Sequence, residues 1–143
     1  MWGGEEDFKI KSPIINCDFL LQSSRIRYMP EIKDLTKLVT DFRDARDWKQ
    51  FHSPKDMAIS LSLEASEVLE HFQWKSKEEI EKYIKTNKGE IAEELSDVLY
   101  WVLLMSSDLN IDLPTAFRNK LKKNNKKYPV KKAKGKHNKY TEL

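Results

Sequence analysis

The chain has 143 residues, of which 39% are hydrophobic and 34% charged, with a net charge of +3 and one cysteine. That length suits a single domain with a buried core. Only 4 Gly and 5 Pro leave few tight turns, which excludes a many-stranded sandwich or barrel, and no apolar run is long enough to span a bilayer.

Residues 1–30 show no sustained helical period. The apolar clusters Ile14-Ile15 and Phe19-Leu20-Leu21 suit a short strand, an arm laid on a partner subunit, or a segment foreign to the domain. The opening "MWGGEEDFKIK" lacks the basic-then-apolar order of a secretory signal. The lone Cys17 cannot form an internal disulfide, so a cytoplasmic location is expected.

From Glu31 the pattern turns helical. Leu35, Leu38, Val39, Phe42, Ala45 and Trp48 recur at steps of three and four and share one stripe, in a segment that stops near "FHSP". Ser53 and Pro54 supply a cap and a first turn for a second helix, whose apolar face is Ala58, Leu61, Ala65, Val68, Leu69 and Phe72. It ends near Trp74. "SKEE" is a capping box that opens a short helix through about Lys85. Asn87 is expected to cap the long fourth helix, with Ile91, Leu95, Val98, Leu99, Val102, Leu103 and Met105 on its apolar side. Asp112 can cap the last helix, where Phe117 and Leu121 should point inward. A basic, extended tail follows. The expected architecture is an all-α antiparallel helical bundle of four to five helices. Its parts are an N-terminal arm at 1–30, the helical domain at 31–128 and a basic C-terminal tail at 129–143.

The chemistry begins with an anomaly. "SLEASEVLEHFQWK" and "EIAEELSDVLYWVLLM" are the most apolar helices, yet each carries an acid pair at a spacing of three, Glu64 with Glu67 and Glu94 with Asp97. Residues three apart share a helix face, so side-by-side packing would bring four carboxylates together. Glutamates at this spacing are ordinary on solvated faces. Here, however, neither Glu64 nor Glu67 has a Lys or Arg three or four positions away, and Glu94 and Asp97 have none on the C-terminal side. A hard divalent cation resolves the repulsion: Mg²⁺ takes carboxylate oxygens and gathers substrate phosphates. Other metal centres fail on ligand type, because His71 follows Glu67 by four rather than three and no zinc-type Cys/His set exists. There is no Walker-type glycine loop.

Trp48, Trp74 and Trp101 flank the acid-bearing elements and could stack a base, although core packing is the plainer role of any single Trp. Lys120 and Asn124 share a face of the last helix and could meet phosphate, sugar or base. From Arg118 to Lys139 there are eleven Lys or Arg and no Asp or Glu. That run supports the competing reading, a non-catalytic helical protein that binds nucleic acid or a partner through its tail. The run is short, and only Tyr128 and Tyr140 are interleaved with its charges, so the enzymatic reading is preferred.

Taken together, "RDWKQFHSPKDMAISLSLEASEVLEHFQWK", "EELSDVLYWVLLMSSDLNIDLPTAFRNKLKKNNKKYP" and "KYTEL" closely resemble the MazG-like all-α nucleoside triphosphate pyrophosphohydrolases, within them the dCTP pyrophosphatases. The resemblance covers about Ile32 to Leu143. It implies Mg²⁺ ligands and catalytic acids at Glu64, Glu67, Glu94 and Asp97, base stacking by Trp48 and Trp74, and substrate contacts by Lys120 and Asn124. It also implies cleavage between the α and β phosphates of a dNTP such as dCTP, giving a monophosphate and pyrophosphate in nucleotide-pool house-cleaning. Which of the four acids takes the proton of the attacking water stays open, with Glu67 one choice. The implied assembly is a homodimer or homotetramer with sites near subunit interfaces. Two positions depart from the pattern: Val39 stands where relatives often have a His, and Trp101 where a Tyr lines the pocket.

Overall fold

The computed structural model describes residues 31–142; the N-terminal arm, with its apolar clusters and Cys17, lies outside them. Among the described residues there are six helices and no strand: α1 (Ile32–Asp44), α2 (Pro54–Glu70), α3 (Lys77–Thr86), α4 (Lys88–Asp108), α5 (Leu113–Lys127) and the single-turn α6 (Val130–Ala133). No helix among them is long and apolar enough to cross a membrane.

The starts follow local chemistry. The Asp56 amide donates to Ser53 Oγ at 3.2 Å. In the "SKEE" box the Glu79 amide donates to Ser76 Oγ while the Ser76 amide donates to Glu79 Oε2. The Thr115 amide donates to Asp112 Oδ1 at 3.0 Å. Asn87 precedes α4 but caps no amide; its side-chain amide donates to Glu90 instead. The first helix is shorter than its apolar stripe suggests. It ends at Asp44, Asp47 turns left-handed at φ 53°, and Trp48–Phe51 forms a separate 3₁₀ turn.

α4 is the axis, with α2 packed along it most extensively and α1 next. His71, just past α2, bonds Tyr83 of α3, which in turn donates to Glu90 in the first turn of α4. The end of α2 therefore meets the start of α4, and the two run antiparallel. At the other end Arg43 of α1 grips Asp108 of α4.

This core is thin. Met57, Leu103 and Leu104 are the fully buried apolar residues, and Arg43 is buried with them. Leu63 and Leu69 of α2 are 57% and 61% exposed, and Leu95 of α4 is 54% exposed. The expectation that Phe117 and Leu121 point inward is not met within one chain. Both are exposed, because no other helix among the described residues packs extensively on α5. The C-terminal stretch is not simply extended either. After α6 it turns back, Tyr140 meeting Tyr128 edge to face with Lys127 over its ring.

Candidate active site

Antiparallel packing of α2 on α4 brings three of the four expected acids together. Glu64, Glu94 and Asp97 each offer a carboxylate oxygen, and these atoms lie within 4.8 Å of one another. Glu64 and Glu94 are half-buried and Asp97 is exposed, so the cluster sits at the edge of the helix seam. Beside Asp97 a shallow groove runs along α4 past Ala92, Glu93 and Ser96. Glu67 is exposed, one turn along α2, and outside the trio. Among the described residues no Lys, Arg or His forms an ion pair with any of the three.

The donor set fits a hard cation. All three ligands are carboxylates, with no thiolate or imidazole among them. On one octahedral Mg²⁺ ion adjacent ligand oxygens stand about 3 Å apart and opposite ones about 4.2 Å, so a trio within 4.8 Å would have to draw closer to share an ion.

The aromatic residues take three different positions. Trp101 is half-buried, and its indole Nε1–H donates to Glu64 Oε1 at 3.2 Å. The ring of His52 packs edge-on against it, 5.2 Å between centroids. Trp48 lies in the 3₁₀ turn before α2, its ring edge-on to Phe42 and within 5.6 Å of the Arg46 guanidinium. Trp74 stands beyond the other end of α2, 92% exposed and left-handed at φ 64°. A bulky residue in that region is strained, a feature that concentrates at functional sites. The 17 residues of α2 span about 25 Å. Trp48 and Trp74 thus flank opposite ends of α2. Lys120 is exposed and Asn124 half-buried on α5, which does not lie alongside α2 or α4.

His52 was not legible as a site residue. Its Nδ1 is buried without a hydrogen-bond partner among the described residues, a state that costs about 1–3 kcal/mol for a polar group. In the sequence it is a lone His before a helix cap, and nothing in its spacing points to Trp101.

Residues 59–143 match the model of the MazG-like family. The chain belongs to that family. It is 36% identical to dCTP pyrophosphatase 1 of Rattus norvegicus over 116 residues, 80% of this chain and 68% of that protein. The Homo sapiens dCTP pyrophosphatase 1 is 35% identical over the same shares of the two chains. Among solved structures, a pyrophosphatase from Archaeoglobus fulgidus DSM 4304 superposes with a TM-score of 0.66 at 36% identity, covering 73% of this chain and 99% of that one. In this chain the pairing of α2 with α4 builds the acidic edge at Glu64, Glu94 and Asp97.

Proposed function

We propose that the protein is a Mg²⁺-dependent nucleoside triphosphate pyrophosphohydrolase that converts a dNTP, with dCTP the leading substrate, to the monophosphate and pyrophosphate. The observation that carries this is the meeting of Glu64, Glu94 and Asp97 across the α2–α4 seam, with no ion pair to them among the described residues. Similarity to dCTP pyrophosphatases and to a pyrophosphatase supports the reaction class and the base.

In this reading Glu64, Glu94 and Asp97 hold Mg²⁺, and Glu67 turns in as a fourth carboxylate. When bound, the ion draws charge off the triphosphate and lowers the pKa of an attacking water. Glu67, one turn from Glu64 and exposed to solvent, accepts that water's proton on a carboxylate oxygen. Trp48 and Trp74 stack the base and Lys120 and Asn124 contact the substrate, each brought to the site by assembly. That assembly is a second copy of the chain, as a dimer or a tetramer. It is supported by the exposed apolar faces of α2, α4 and α5 and by the length of α2 between the two Trp residues. The cytoplasm, where the nucleotide pool lies, is the proposed location.

The test is incubation with each dNTP and NTP, with Mg²⁺ present or chelated, and identification of the products. dCTP should yield dCMP and pyrophosphate only with Mg²⁺. Glu64→Gln and Asp97→Asn should each lower kcat by on the order of a thousandfold while helix content is kept. Near-normal turnover in either variant would remove the carboxylates from this role, and orthophosphate as the product would overturn the cleavage between the α and β phosphates.

A further inference from the structure

Trp101 reads in the sequence as a wall for the base, but the geometry points to a different task. We infer that Trp101 is a positioning residue for Glu64, with its indole N–H fixing one oxygen of the carboxylate so that the other is left to the metal. This rests on the reading of Glu64, Glu94 and Asp97 as a Mg²⁺ site.

Four observations carry it. The Nε1–H donates to Glu64 Oε1 at 3.2 Å, joining α4 to α2 directly at the acid cluster. Trp101 lies one turn beyond Asp97, so one face of α4 supplies both a ligand and the group that orients another ligand. The indole is held on its flanks: His52 packs against it at 62° and Tyr100 at 85°, each with ring centroids 5.2 Å away. It is also half-buried, whereas Trp74 is almost wholly exposed.

The chemistry suits the task. Indole is a donor only and carries no charge. A Lys or Arg here would also bond the carboxylate, but its charge would compete with a divalent cation. A neutral donor orients the oxygen and leaves the negative charge available. A carboxylate has acceptor capacity on both oxygens, so the indole bond on Oε1 leaves Oε2 able to ligate. Side chains that bond metal ligands from behind are worth 10- to 100-fold in metal affinity, as an order of magnitude.

The experiment compares wild type with two variants of the full chain. Trp101→Phe keeps a flat ring and loses the donor. Replacing Trp101 with benzothienylalanine keeps the shape of indole with sulfur in place of N–H. Mg²⁺ binding is measured by calorimetry without nucleotide, and KM and kcat for dCTP are measured across a Mg²⁺ series. Both variants should bind Mg²⁺ on the order of tenfold more weakly, with kcat recovering and KM near wild type at high Mg²⁺. Unchanged Mg²⁺ affinity in the benzothienylalanine protein, with or without a raised KM, would overturn the inference and return Trp101 to the base pocket. If wild type itself bound no Mg²⁺, its titration matching that of Glu64→Gln, the metal-site reading would fall and this inference with it.

Discussion

Asp108→Ala should cost far more stability than removing an ordinary surface acid. Arg43 is 2% exposed, and its guanidinium Nη1 donates to both Asp108 oxygens, at 2.8 and 2.7 Å, while Nε donates to Asp44 at 2.8 Å. Burial by itself would lower the Arg43 pKa, but the hydrogen bonds it donates to Asp108 and Asp44, together with their negative charges, outweigh it and the pKa is raised. Arg43 therefore stays charged and cannot escape the loss of a partner by shedding its proton. Asp108 is 16% exposed at its side chain and Asp44 56%, so the acid that remains is the more screened one. Removing one member of a buried pair costs about 3–5 kcal/mol. With Asp44 retained, the lower end applies, about 3 kcal/mol. For a chain of this size that is a fall in Tm of about 12 °C, taking about 4 °C per kcal/mol.

The assay is urea and thermal unfolding followed by circular dichroism, at one fixed protomer concentration so that any assembly would shift every Tm alike. The double variant Arg43→Met with Asp108→Leu should recover most of the loss, since an apolar pair replaces two buried charges. A loss under about 1 kcal/mol for Asp108→Ala, or a double variant worse than the sum of the singles, would refute the argument that burial makes this pair costly to break.

Two further outcomes follow from other parts of the structure. Leu121→Glu places a charge on the exposed apolar face of α5; light scattering should show a smaller assembly with helix content unchanged, and an unaltered mass would mean that this face is not covered by a second copy. The Glu79 carboxyl is held low by the Ser76 amide and hydroxyl, and that of Asp112 by the Thr115 hydroxyl and amide. A depressed folded pKa gives stability that is present above the ordinary carboxylate range and lost as pH falls through the lower folded value. The acid limb of a stability profile should therefore flatten in Glu79→Gln, whereas a profile identical to wild type would deny Glu79 that role.

The helices were legible because their signals are local. Ser53, Ser76 and Asp112 sit beside the amides they cap, so their roles need no knowledge of the fold. The acid trio was legible for a related reason. Two apolar helices with unneutralised acids allow few arrangements, and side-by-side packing is the simplest. What could not be read depended on which faces meet. Phe117 and Leu121 have a helical period that marks an apolar face, but period does not say whether its partner lies in the same chain. Trp101 and His52 are 49 positions apart, and their contact exists only because the turn before α2 lands beside α4. The end of α1 was missed because the apolar stripe continues through Ala45 and Trp48 while Asp47 turns left-handed.

The carboxylates alone do not specify how α2 sits on α4. A slip of about one turn, roughly 5.4 Å, would set Glu67 where Glu64 now stands and still present an acid to Glu94 and Asp97. The register must therefore come from groups that have no equivalent one turn away. His52 meets Trp101 at one end of the seam, and α4 is tied to α1 there through Arg43 and Asp108. At the other end His71 and Tyr83 are 2.8 Å apart, with Tyr83 reaching Glu90. Neither the His52–Trp101 ring contact nor the His71–Tyr83–Glu90 chain has an equivalent one turn away, so a one-turn shift would break both, and would leave buried groups unpaired at Asp108 and Arg43 if α4 moved. A thin apolar core tolerates sliding better than a thick one, because few interlocked side chains oppose it. In this chain, a ring contact at one end of α2 and a hydrogen-bonded chain at the other align the helix as a larger core does elsewhere, and the acid trio lies between them.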